Sequence, residues 1–165
     1  RKRLSALNPA GRQTLQLIYL LIFTFCMLFR YYLIIFAGKK MSVRILIALG
    51  SNHEQEKNVA FAMERLHSFF PGISFSRMLW TEPIGIASDR FVNALALADT
   101  DKEQEEVERI LKQIEKECGR TREEKVRNII RLDLDLLQWG TVWLREQDWE
   151  RDYIRLLLQE MQWAF

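Results

Sequence analysis

The chain has 165 residues, of which 48% are apolar and 28% are charged, and this balance is ordinary for one globular domain with a core of its own. The net charge of +2 conceals a division, because residues 1–40 contain seven basic residues and no acidic one, which leaves 17 basic against 22 acidic residues from Met41 onward. A mildly acidic body argues against a nucleic-acid-binding protein, whose affinity depends on basic contacts to phosphates. The two cysteines, Cys26 and Cys118, lie far apart without metal-ligand spacing and fit a reducing compartment, so we expect a cytoplasmic protein.

Residues 15–37 form an apolar stretch of about the length of a membrane span, interrupted by Arg30. Basic residues flank the stretch on both sides, so charge gives no orientation, and no signal-type cleavage site is evident. Three interpretations stay open: a membrane anchor, a buried apolar arm, or translated sequence upstream of a true start at Met41. We favour the third, because the charge changes abruptly there and the rest reads as a complete domain. We therefore predict an extension over residues 1–40 and a domain over residues 41–165, with membrane attachment expected only if the apolar stretch belongs to the mature protein.

From Met41 onward the hydrophobic pattern alternates between periods of two and of about 3.6 residues. In chain order it predicts a strand over 43–49, a helix through 59–70, strands over 73–80 and 91–97, a helix through 107–118, and a strand over 131–137. Thr100 and Glu103 form a capping-box pattern before the second helix, and apolar spacing beyond Gly140 predicts a terminal helix. This order predicts a ferredoxin-like α+β fold, βαββαβ, with one antiparallel sheet and both helices packed on one face.

Asp133 and Asp135 alternate with leucines in the last predicted strand. The period of two therefore places both carboxylates on one face and the leucines on the other. Two carboxylates so close repel each other unless a cation lies between them, and Mg²⁺ carrying triphosphate oxygens suits such a pair. A solvated face of an edge strand has the same pattern, so the metal interpretation depends on neighbouring residues.

Basic residues lie between the second predicted helix and the aspartates. They are Arg120, Arg122, Lys125, Arg127 and Arg131. Phosphoryl transfer needs cations around the leaving group, although a run of mixed charge is also typical of a solvated loop. Beside the aspartates, this stretch favours a protein that handles ATP.

Phe91 and Asn93 share one face of the third predicted strand. An aromatic ring beside an amide suits a flat heterocycle, whereas a core position is the simpler interpretation of Phe91 alone. Asn93 lies in an apolar run, where an amide without a partner costs about 1–3 kcal/mol. A ligand at Asn93 is therefore expected, and His53 and His67 are assigned no role.

Five motifs in family order resemble the hydroxymethyldihydropterin pyrophosphokinases of folate biosynthesis. They are LGSN at 49–52, TEPIG at 81–85, FVNALAL at 91–97, ECGR at 117–120 and RLDLDLLQWG at 131–140. The resemblance implies the same ferredoxin-like fold. It also implies an ATP-dependent transferase that moves diphosphate from ATP to 6-hydroxymethyl-7,8-dihydropterin, with Mg²⁺ as cofactor and ATP and the pterin as its small-molecule partners.

The resemblance further implies a role for individual residues. Asp133 and Asp135 would bind Mg²⁺ and act in catalysis together with Arg120, Arg122 and Arg131. The pterin pocket would be formed by Gly50, Ser51, Asn52, Thr81, Pro83, Ile84, Phe91 and Asn93. The ATP contacts would come from Leu111, Lys112, Glu115, Arg120, Arg122 and Arg127.

The chain departs from the family pattern at two places. An aromatic residue and an arginine usually precede the aspartates, but Arg127 and Ile130 stand there, so Arg127 or Arg131 would have to supply the charge. The His-Pro segment after the aspartate strand is absent with its downstream arginine, and Arg151 or Arg155 would substitute unless this part is a plain terminal helix. We interpret the chain as a shortened variant. Two rival functions stay open: a pterin- or nucleotide-binding protein that has lost transfer, and a membrane-tethered ferredoxin-like interaction domain.

Overall fold

A computed structural model describes residues 9–37, 41–85, 87–119, 124 and 127–161. The chain divides into two compact units, residues 1–41 and residues 42–165. In the first unit, helix α1 spans Pro9–Ala37, and its large apolar side chains from Leu17 to Tyr32 are exposed where they are described. Within the described residues, no helix combines the length and the apolar character needed to cross a bilayer.

The second unit is built around one antiparallel sheet. Its elements are β1 (Val43–Ser51), α2 (Gln55–Phe69), β2 (Ser74–Phe75), β3 (Leu79–Thr81), β4 (Phe91–Thr100), α3 (Gln104–Glu117), β5 (Asp133–Trp139), β6 (Val142–Trp143), a 3₁₀ helix (Glu146–Glu150) and α4 (Asp152–Glu160). The strand order is β2–β4–β1–β5–β6, and β3 also pairs with β4. The ferredoxin-like α+β prediction is confirmed, although the strand predicted over residues 73–80 is divided into β2 and β3.

Side chains alternate along the central strands and form a core on each face of the sheet. On one face, Ile45, Ile47 and Leu49 of β1 are buried in a cluster with apolar residues of α2 and α3. On the other face, Leu46 and its neighbours are buried with residues of α4. Each buried aliphatic side chain contributes about 1.5–3 kcal/mol, so α4 is held firmly against the second face.

Of two local predictions near the helices, the capping box is wrong and the terminal helix is confirmed. Thr100 does not cap α3, since it is the last residue of β4, where it pairs with Val43. The N-cap residue is Glu103, whose side chain makes no capping hydrogen bond. In the terminal helix, Leu156 is exposed, whereas Ile154 and Leu158 are buried. The predicted terminal helix is therefore present as α4, which begins at Asp152, after the 3₁₀ helix.

Candidate active site

A cleft of about 420 Å³ opens on the α4 side of the sheet. Side chains from β1, β4 and β5, from the loop after β3 and from the C-terminal segment line it. Seven of the predicted site residues are among them: Gly50, Thr81, Ile84, Phe91, Asn93, Asp133 and Asp135. The structure thus brings together residues that are 85 positions apart in the sequence.

The floor of this cleft depends on Gly50. In the sheet, Gly50 pairs with Asn93 of β4 and with Asp133 of β5, so the three residues form a row across three strands. A Cβ atom at Gly50 would lie 3.0 Å from Asn93 Oδ1 and 4.0 Å from the Phe91 ring. The first distance is shorter than an ordinary van der Waals contact, so glycine leaves room for the Asn93 amide.

Asn93 is almost fully buried, and its side-chain Nδ2 donates a hydrogen bond of 2.7 Å to Thr81 Oγ1. This bond fixes the direction of the amide beside the Phe91 ring. It also supplies one of the partners that a buried amide requires. The protein itself therefore supplies part of what the sequence predicted a ligand to supply at Asn93.

Asp133 and Asp135 both line the cleft, while Leu132, Leu134 and Leu136 are buried on the opposite face. Burial, and after it the charge of Asp133, raises the pKa of Asp135 to about 6, and the nearby Arg145 acts in the opposite direction. Arg145 Nη2 lies 2.9 Å from Asp135 Oδ1.

This pair of carboxylates fits a divalent cation. Burial is the larger cause of the raised pKa of Asp135 and repulsion by Asp133 the second, and positive charge between the two groups would remove that repulsion. Hard oxygen donors also suit Mg²⁺. Among the described residues, no cluster of three or more His, Cys, Asp or Glu side chains could hold a metal ion. Mg²⁺ is commonly held by one or two carboxylates together with substrate phosphates and water.

The C-terminal segment supplies a wall of the cleft, of which the sequence suggested only Arg151. Asp148, Arg151, Asp152 and Tyr153 line it, and Arg151 Nη2 lies 2.8 Å from Asp148 Oδ1. Burial raises the pKa of Tyr153 to about 12, so the phenol keeps its proton. Tyr153 lies in the predicted terminal helix, and no local signal in the sequence distinguishes a core tyrosine from one at a site.

A second cleft, of about 410 Å³, lies between α3 and the edge of β5. The predicted ATP contacts Leu111 and Lys112 line it together with Leu134, Leu136 and Arg145. It therefore meets the leucine side of the strand whose aspartates line the first cleft. Two predicted nucleotide contacts are thus adjacent to the aspartate strand.

Comparison with known protein families identifies the family of the chain. The family model for 7,8-dihydro-6-hydroxymethylpterin-pyrophosphokinase matches residues 46–162. The chain belongs to this family. Its members use ATP to transfer diphosphate to 6-hydroxymethyl-7,8-dihydropterin in folate biosynthesis, and the chain is an enzyme of this class. No curated protein matches the chain.

Three residues predicted for the pterin pocket of this pyrophosphokinase do not line the first cleft. Asn52 Oδ1 accepts the backbone N–H of Ile130 at 2.6 Å, and Asn52 Nδ2 donates to the carbonyl of Asn128 at 2.8 Å. Ser51 Oγ donates to the carbonyl of His53 at 2.9 Å. Pro83 lies between two lining residues, Glu82 and Ile84. Asn52 therefore fixes the segment before β5, which places Ile130 at the cleft.

The other residues predicted for the pyrophosphokinase site lie away from the two clefts or outside the described residues. Glu115 is buried and accepts the backbone N–H of Leu134 at 2.9 Å, so it ties α3 to the aspartate strand. Arg131 Nε lies 2.7 Å from Glu124 Oε1, and Arg127 is exposed. Three cations are outside the described residues: Arg120, Arg122 and Lys125.

Proposed function

We propose that the first cleft binds the pterin, that the second cleft binds the nucleotide, and that Asp133 and Asp135 hold Mg²⁺ between them. One observation carries this assignment. The aspartates of β5 line the first cleft, and the leucines that alternate with them, Leu134 and Leu136, line the second. A phosphate chain that extends from the second cleft around this strand reaches the carboxylates.

The first cleft has the chemistry that a pterin requires. Phe91 and Tyr153 both line it, and aromatic faces stack on flat heterocycles with a favourable energy. The Asn93 amide, held by Thr81, offers a polar edge at fixed orientation. The protonated phenol of Tyr153 adds a hydrogen-bond donor. These residues orient the ring so that its hydroxymethyl group faces the aspartates.

The second cleft supplies apolar contact for the adenine and a cation for the phosphates. Leu111, Leu134 and Leu136 form its apolar surface, and the Lys112 ammonium lies at the same cleft. When bound by the two aspartates, Mg²⁺ would neutralise phosphate charge and polarise the phosphoryl group that is transferred. Arg120 and Arg122 remain predicted phosphate contacts.

The reaction that this arrangement supports needs no covalent intermediate. The hydroxymethyl oxygen of the pterin attacks the β-phosphorus of ATP, and the bond from this phosphorus to the α,β-bridging oxygen breaks. AMP leaves with that oxygen, and the hydroxymethyl proton passes to solvent. The contribution of the protein is to position the two substrates and to neutralise charge.

Two labelled forms of ATP test the proposal with the full chain. With Mg²⁺ and 6-hydroxymethyl-7,8-dihydropterin, we expect label from the γ-phosphate in the pterin product and label from the α-phosphate in AMP. AMP and the pterin diphosphate should form in equal amounts. Release of ADP, or of labelled inorganic phosphate without a labelled pterin, would contradict the proposal.

A further inference from the structure

Arg145 lies where the two clefts meet. Its side chain lines the second cleft, and its Nη2 atom lies 2.9 Å from Oδ1 of Asp135, which lines the first. The preceding residue, Leu144, donates its backbone N–H to the carbonyl of Leu137 at 2.8 Å. The backbone before Arg145 is therefore fixed against β5, and the guanidinium reaches around the edge of this strand.

The backbone conformation and the exposure of Arg145 decide which substitutions it tolerates and whether its ion-pair partner can change. Its φ angle is +52°, a left-handed conformation that residues other than glycine and asparagine adopt at a cost. About half of its side chain, 49%, is exposed. The guanidinium is therefore free to exchange one anionic partner for another without crossing a packed core.

The charges around the first cleft require cations when a nucleotide binds. Acidic side chains line it at Glu82, Asp133, Asp135, Asp148 and Asp152. Arg151 also lines this cleft but is paired with Asp148, and Lys112 of the second cleft is paired with Glu115. A triphosphate adds several negative charges beside these carboxylates, so a guanidinium at the same place is well matched to its oxygens.

We propose that Arg145 contacts the diphosphate that is transferred. In the absence of substrates the guanidinium neutralises Asp135. When the nucleotide binds with its metal ion, Arg145 leaves the carboxylate and donates hydrogen bonds to phosphate oxygens at the junction of the clefts. This inference rests on the proposed function. It gives Arg145, which follows β6 and lies outside the five sequence motifs, the role of a phosphate contact.

Arg145→Asn tests the inference, because asparagine tolerates the left-handed backbone but carries no charge. Isothermal titration of the full chain with α,β-methylene-ATP and Mg²⁺ should give an affinity at least about tenfold weaker than for the unchanged chain. The affinity for 6-hydroxymethylpterin should change by less than about twofold, since Arg145 does not line the pterin cleft. The kcat value should fall on the order of 100-fold or more, as expected for a lost phosphate contact.

Two further variants separate the charge of Arg145 from its shape and control for the loss of an exposed arginine. Arg145→Lys keeps the charge but loses the planar fork of the guanidinium. Its analogue affinity and its kcat should therefore lie between those of the unchanged chain and those of Arg145→Asn. Arg109→Gln, at an exposed position on α3 that lines neither cleft, should bind the analogue and turn over like the unchanged chain. Thermal melting checks that each variant is folded, and should Arg145→Asn fail to fold, the lysine variant decides.

Two results would overturn the inference while leaving the proposed function standing. In the first, the unchanged chain produces AMP and the pterin diphosphate, and the folded Arg145 variants match it in both analogue affinity and kcat. In the second, a crystal structure of the unchanged chain with Mg²⁺ and α,β-methylene-ATP has Arg145 still on Asp135 and out of reach of every phosphate oxygen. An unchanged chain that forms no pterin diphosphate would instead contradict both.

Discussion

Asp135 of β5 is subject to opposing electrostatic effects. Burial and the charge of Asp133 raise its pKa to about 6, while Arg145 partly neutralises it at 2.9 Å. Near neutral pH such a carboxylate is mostly ionised, but its surroundings stabilise the charged form only weakly. Such a group binds a cation readily.

We expect Asp133→Asn and Asp135→Asn each to lower turnover at least about 100-fold, because a neutral amide does not replace a charged ligand of Mg²⁺. The melting temperature should change by no more than about 3 °C, since the leucines on the other face of β5 hold the strand in place. Release of AMP at saturating Mg²⁺ and circular dichroism measure the two effects. Asp99→Asn is the matched control, because Asp99 is an exposed residue paired with Arg44. Normal turnover in both cleft variants would remove the aspartates from the reaction.

The raised pKa of Asp135 predicts a pH dependence. Without metal, the folded chain binds this proton more tightly than the unfolded chain, so the contribution of Asp135 to stability is present at low pH and is lost as the pH rises through about 6. Mg²⁺ requires the deprotonated carboxylate, so metal affinity changes in the opposite direction and falls as the pH falls through about 6.

Isothermal titration with Mg²⁺ and α,β-methylene-ATP between about pH 5 and about pH 7.5 measures this dependence. The phosphates of the analogue also titrate in this range, so Asp135→Asn serves as the reference. The unchanged chain should lose more affinity on acidification than this variant does. Identical pH profiles for the two chains would contradict the assignment of the titration to Asp135.

At the scale of elements, α4 has two functions. Ile154, Leu157 and Leu158 are buried against the sheet, and Tyr153 on the same helix lines the first cleft. Packing of this helix therefore sets the position of one aromatic wall. The 3₁₀ helix before it brings Asp148 to the same cleft.

Leu157→Ala should lower the free energy of unfolding by about 2–5 kcal/mol, because Leu157 is fully buried and the truncation leaves a cavity. It should also weaken pterin binding, since Tyr153 depends on the same packing. Leu156→Ala is a matched control on the adjacent, 42% exposed position and should change stability by less than about 0.5 kcal/mol. Urea denaturation measures both variants, and equal losses would contradict the packing described for α4.

At the scale of the whole molecule, the family match begins at residue 46 and both clefts are formed by residues of the second unit. We therefore expect a chain that begins at Met41 to fold and to transfer diphosphate at a rate within about twofold of the full chain. Circular dichroism and release of AMP test this expectation. An insoluble or inactive product would indicate that residues 1–40 are needed.

The sequence alone determined the features that follow from local periodicity and from contiguous motifs. Alternation along β5 predicted that Asp133 and Asp135 face one way and Leu134 the other, because successive side chains of a strand point to opposite faces. The helical spacing of Val107, Ile110 and Leu111 predicted α3, which buries those residues. The five contiguous motifs predicted the family and its reaction.

Only the tertiary structure decided which side chains share a cleft. Gly50, Asn93 and Asp133 lie in one row because β1 pairs with both β4 and β5, and such pairings depend on the whole sheet. Tyr153 and Arg145 reach the site through the packing of segments whose local patterns resemble an ordinary helix and a charged loop. Local spacing determines the face of an element on which a side chain lies, whereas long-range packing determines what that face meets.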